Sequence, residues 1–115
     1  MRAAIPILRS FDQGRAREFW ITYLGFEVVW EHRFAPNLPH YMEIRRGDCV
    51  VHLSEHHGDA SPGARLRIEV ADIDAFHAAL DPSYRHARPQ IEATPWGTRE
   101  IRITDPFANT LLFFS

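Results

Sequence analysis

The sequence is poor in the residues that mark several functional classes. It has one cysteine, Cys49, among 115 residues. That excludes an internal disulfide and a zinc site built from several thiolates, and a reducing, cytoplasmic setting is the expectation. No apolar run comes near the ~20 residues that a membrane-crossing helix needs. Met1–Pro6 carries one base and no long apolar region, so no secretory leader is expected. Neither sign of charge dominates: 13 Lys and Arg against 15 Asp and Glu leave a net −2. A phosphate-backbone binder would carry a basic stripe, so neither nucleic acid nor a membrane is an expected partner. The Gly-rich phosphate loop, Gly-x-Ser-x-Gly and His-Glu-x-x-His are all missing. What is present is apolar. The chain is 45% hydrophobic and 12% aromatic, enough to build a core and too much for disorder, and its length suits one domain.

Periodicity divides the chain into two similar halves. In the first, Ile5-Pro6-Ile7-Leu8 lies in a short apolar segment that reads as a strand. Asp12 follows as an N-cap, and Ala16, Phe19, Trp20, Tyr23 and Leu24 make one stripe of an amphipathic helix over about 13–24. Gly25 stops it, because glycine adopts the left-handed conformation without strain. Strands are predicted at 26–33, 41–44 and 49–54, the last two joined by the Gly47-Asp48 turn. The polar segment 58–64 reads as a linker. In the second half Arg65 to Val70 alternates strictly between charged and apolar residues. Asp72 caps a second helix with Ile73, Phe76, Ala79 and Leu80 on its apolar side, and strands follow at about 90–93, 99–104 and 110–114.

Asp12 and Asp72 lie 60 residues apart (72 − 12), each ahead of apolar residues at +4, +7 and +8, with large and small exchanging places between the copies. A period of that length points to a duplicated module. The expected class is therefore α+β: one domain, 1–115, of two tandem βαβββ modules, 1–57 and 65–115. Together they form a curved mixed sheet with helices on its convex face and a concave cleft. If Leu66, Ile68 and Val70 face the helix, Arg65, Arg67 and Glu69 face the cleft. Likewise Ile101 and Ile103 turn inward while Glu100, Arg102 and Thr104 face the cleft. Charges there must be wet or ligand-covered, since burying a bare charge is very costly.

Phe19-Trp20 before Leu24-Gly25-Phe26, Asp105-Pro106 with Asn109 before the last strand, and Pro95-Trp96-Gly97-Thr98-Arg99-Glu100 together resemble the vicinal oxygen chelate superfamily. The likeness spans essentially the whole chain. It runs to the bleomycin-resistance branch of a group that also holds glyoxalase I and extradiol dioxygenases. The resemblance implies a homodimer, with the N-terminal strand exchanged between subunits in many members and two clefts at the interface that sequester a planar-tailed cationic drug. The superfamily's enzymes hold a divalent metal near the strand ends. Carried over by spacing, those places fall at Ile5, Leu53, Arg65 and Leu112, none of which donates a lone pair to a cation. The resemblance therefore implies a binding protein with no cofactor and no metal. Its alternative is a glyoxalase-like lyase or dioxygenase with displaced ligands drawn from His32, His52, Glu55 and His57.

The candidate ligand-binding residues are aromatic platforms (Trp30, Phe34, Trp96 and Phe107) and acids for a cationic end (Glu31, Glu55 and Glu100). To these are added His32, Leu53, His57 and Leu112, and the cleft arginines Arg65, Arg67 and Arg102, which favour an anionic or mixed ligand instead. Phe19, Trp20 and Cys49 read as core, His77 as a partly buried helix residue, and Arg45-Arg46 as a solvated hairpin end. Ala108 stands where the superfamily usually has glycine.

Overall fold

The computed structural model describes Met1–Ser115. The first module comprises β1 (Ile7–Arg9), α1 (Gln13–Ala16), β2 (Glu27–His32), β3 (Tyr41–Arg46) and β4 (Cys49–Ser54). The second comprises β5 (Arg65–Glu69), α2 (Ile73–Ala79), β6 (Ile91–Ala93), β7 (Arg99–Thr104) and β8 (Thr110–Phe114). The βαβββ order is that expected from the repeat. Both caps act as predicted: the Asp12 carboxylate accepts from Arg15 N, and that of Asp72 from Asp74 N and Ala75 N.

Three local differences appear. Ile5 and Pro6 precede the first strand. The first helix does not stay α-helical to its end but widens into a π-helical stretch, Arg17–Tyr23. There Leu24 N bonds back to Phe19 O at 2.9 Å. The wide turn keeps three large rings on the buried side, with Phe19 edge-on to Trp20 and Trp20 edge-on to Phe26. Gly25 then ends the helix at φ +77°. Finally, Arg46 is not merely a solvated hairpin end. Its guanidinium donates to Leu24 O at 2.6 Å and lies over the Phe76 ring of the other module.

Each module forms its own mixed four-stranded sheet, ordered β1-β4-β3-β2 and β5-β8-β7-β6. The outer pairs β1–β4 and β5–β8 are parallel and the rest antiparallel. No ladder joins β1 to β5, so within one chain the two sheets remain separate. They are held together through their apolar faces and the helices. One cluster runs from Leu8, Trp20 and Leu53 to Ile101, Leu111 and Phe113. Polar ties cross the same seam: Trp20 Nε1 donates to Asp105 Oδ2, and Asn109 Nδ2 donates to Arg9 O at 3.0 Å. Tyr84 stacks on Tyr23 at 4.2 Å between ring centres. With the apolar faces spent on one core, the opposite face of each sheet is open.

Candidate functional site

The open face of the first sheet follows from strand alternation. Met42 and Ile44 point into the core, so Tyr41 and Glu43 point out. Val51 and Leu53 point in, so His52 points out. A bulge at Val29 shifts the register of β2, placing Trp30 opposite Glu43. The β3–β4 ladder sets Glu43 opposite His52. The four side chains interlock. Tyr41 Oη lies 2.6 Å from His52 Nδ1, and His52 Nε2 lies 2.9 Å from Glu43 Oε1. Trp30 stacks on Tyr41 with ring centres 5.7 Å apart and planes 8° from parallel. Burial first, then the charges of Asp59 and Glu43, push the Tyr41 phenol above its ordinary value of 10.0. The Glu43 carboxylate only accepts, so Nε2 carries the proton that donates to it, and in the neutral imidazole Nδ1 is then the acceptor for the Tyr41 hydroxyl.

The open face of the second sheet carries charges of both signs, with Glu69, Glu92 and Glu100 among its arginines. Arg65, Arg67 and Arg102 stand on it with Leu112 and Phe114 between, as the alternation of β5 and β7 predicts. Arg67 reaches Glu100 at 2.7 Å, passing over the Phe114 ring. That hydrogen bond, with a smaller one from Thr98, holds the Glu100 carboxyl below its ordinary range.

The structure sorts the remaining candidates. Leu53 is 1% exposed and Phe107, packed edge-on against Phe11, is 5% exposed, so both side chains are spent on the core. Glu31 faces the helix, where Arg17 and His40 hold it. Glu55 accepts from His40 N and pairs with Arg33. Its carboxylate is thus committed on the other side of the sheet from His52. His32 lies beside Tyr41 in the ladder and meets Phe34 edge-on, so both extend the first face. Trp96 is 69% exposed at the tip of the β6–β7 turn and plugs nothing. His57 sits in the turn after β4, paired with Ala60. Tyr41 and Glu43 are additions that the sequence reading missed. Alternation about Met42 and Ile44 was the signal for them.

An apolar groove of about 680 Å³ lies elsewhere, between the β3–β4 hairpin and α2, lined by Cys49, Ile68, Phe76 and Phe113. Burial raises the Cys49 thiol there, so it stays protonated and unreactive.

Comparison with known proteins adds the lineage. The family described as "Glyoxalase superfamily protein" matches residues 1–115. The chain belongs to the glyoxalase superfamily. Among solved structures, a bleomycin-binding protein complexed with bleomycin is similar over 100% of this chain and 98% of its own, at 21% identity and a TM-score of 0.69. A bleomycin resistance determinant encoded on transposon Tn5 is similar at 21% identity and 0.72, covering 100% and 98%. TioX from Micromonospora sp. ML1 is similar at 15% identity and 0.78, covering 98% of each chain. These likenesses show a shared fold. A comparison with curated proteins gives no match.

Of the four places carried over by spacing, Leu53 faces the core and Ile5 precedes β1, while Arg65 and Leu112 stand on the open face of the second sheet. One residue before Leu53, His52 stands on the open face of the first sheet and carries a donor. His52 alone does not suit a divalent ion, because both its ring nitrogens are already bonded. No three His, Cys, Asp or Glu side chains of the chain converge as a metal site. His32, His52, Glu55 and His57 accordingly do not come together.

Proposed function

We propose that this glyoxalase-superfamily protein binds a small organic molecule against its open sheet faces and acts by sequestering it, as in bleomycin-type resistance. No chemistry on the ligand and no metal is needed. The observation that carries the reading is the preassembled wall of Trp30, Tyr41 and His52, with the Glu43 carboxylate beside it. Stacked rings offer a flat heteroaromatic tail a large contact area. Because hydrogen bonds already fix Tyr41 and His52, little ordering entropy is lost on binding. Glu43 supplies negative charge for a cationic end. The functional unit is a homodimer in the cytoplasm whose second copy closes the clefts, and the segment ahead of β1 is the one free for exchange. Met1–Ala4 are exposed and lie outside any strand, which leaves that arm available to a partner. Exposed Ile7, Trp30 and Phe34 supply apolar surface for the contact.

Titration with metal-free bleomycin, followed by tryptophan fluorescence, tests the reading. Quenching at micromolar drug that disappears in Trp30→Phe supports it. An unchanged spectrum sinks the drug-binding claim. Stoichiometric transition metal in untagged protein that is lost on His52→Ala restores a metal-dependent activity in its place.

A further inference from the structure

The open face of the second sheet carries three arginines and three glutamates, yet only Arg67 and Glu100 among them pair with each other. β5 and β7 flank β8 on either side. The register places Arg65 beside Thr110 and both Arg67 and Arg102 beside Leu112. Arg67 is already committed to Glu100 and to the Phe114 ring. Arg65 and Arg102 have no such partner: neither guanidinium makes an ion pair or hydrogen bond with the chain, and both residues are exposed. Arg102 stands beside Leu112 on one flank of β8 and Arg65 beside Thr110 on the other, two residues along the same face. Thr110, half-buried beside Arg65, adds a hydroxyl on the same face. β6 pairs with β7 only as far as Ile101, so no strand closes over Arg102.

Two unneutralised guanidiniums, two strand spacings apart and two residues out of register (about 12 Å between backbones), repel each other across an apolar floor. One oxyanion between them turns that repulsion into attraction. A guanidinium binds carboxylate or phosphate oxygens through paired, planar N–H donors, which an ammonium does not match. The geometry points to an oxyanion subsite formed by Arg65, Arg102 and Thr110 over Leu112, taking the carboxylate or phosphate of a small organic acid whose apolar body lies on the sheet. This deepens the proposed function, on which it rests, and gives the ligand mixed polarity. The Trp30 and Glu43 face favours a planar or cationic group, and the second face an acidic one.

The test is an amide-resolved NMR titration of the full chain with benzoate and phenyl phosphate, with benzylamine as control. The two acids shift the Thr110 and Leu112 signals, and the tighter of the pair identifies the preferred anion. Binding weakens with added salt. It falls at least tenfold in Arg65→Ala/Arg102→Ala and recovers in part in Arg65→Lys/Arg102→Lys. The proposal is overturned if those signals do not move, if benzylamine moves them equally, or if the double alanine variant binds as the parent does. Trp30 quenching by bleomycin is read on the same samples. Its absence alongside intact acid binding defeats only sequestration of that drug. Its presence without acid binding defeats only the oxyanion subsite.

Discussion

Tyr41 and Glu43, two residues apart on one strand, hold the two ring nitrogens of His52 on the next, at 2.6 and 2.9 Å. All three are half-buried, so each hydrogen bond matters more than it would in open water. His52→Phe keeps the ring volume and removes both bonds. It leaves a phenol and a carboxylate partly shielded from solvent and unpaired, at a cost of about 1–3 kcal/mol. Urea unfolding should show that loss as a lower midpoint at unchanged slope. Nitrogen chemical shifts of His52 in the parent should report the Nε2–H tautomer. A proton on Nδ1 instead would mean that Tyr41 is the acceptor.

Ala108 has φ +69°, in the region that residues with a Cβ disfavour. The turn overrides the strain with a dense set of bonds. Asp105 Oδ1 accepts from Phe107 N and Asn109 N, and Oδ2 accepts from Asn109 Nδ2. Ala108→Gly removes about 1–2 kcal/mol of left-handed strain and adds about 0.5–1 kcal/mol of unfolded-state entropy. A net stabilisation of about 0.5–1 kcal/mol is expected, visible as a higher melting temperature. A lower one would show that the strain is not borne at this residue.

Two carboxylates should respond to pH with opposite signs. Burial raises Asp105 above its ordinary 3.8, against the pull of hydrogen bonds from Asn109, Phe107 and Trp20. The folded state therefore binds a proton where the unfolded chain does not. Its contribution is complete below 3.8 and is lost as pH rises through the folded value. Glu31 is the reverse. Hydrogen bonds from Arg17 first and His40 second hold it below 4.5, so its contribution is present above that value and is lost as pH falls through the folded one. Glu31 is 43% exposed, which limits the effect of Glu31→Gln to about 1 kcal/mol at neutral pH. Carbon-detected NMR titration should place the two groups on opposite sides of their ordinary values. The stability difference between Glu31→Gln and the parent should close in acid.

Much of this was legible residue by residue. Asp12 and Asp72 cap helices because a carboxylate satisfies orphan amides, whatever the fold around it. The alternation of Arg65–Glu69 and Arg99–Thr104 states which residues share a face. Even the His52 partner was within reach: the turn at Gly47-Asp48 closes Arg46 against Cys49, and counting back three pairs sets Glu43 against His52. The error at Leu53 has a physical origin. Strand side chains alternate with period two, so an uncertainty of one residue moves a position from the open face to the core.

The sequence alone determined the two modules, their order and the identity of most open-face residues, because caps, turns and alternation act over a few neighbours. Tertiary structure decided which of those residues remain available. Arg65, Arg67 and Arg102 look equivalent in sequence, yet only Arg67 is neutralised, since Glu100 lies within its reach across two strands. Arg46 likewise meets Phe76 only because the two modules share one core. Pairings of this kind depend on distances between segments far apart in the chain, which no local pattern encodes.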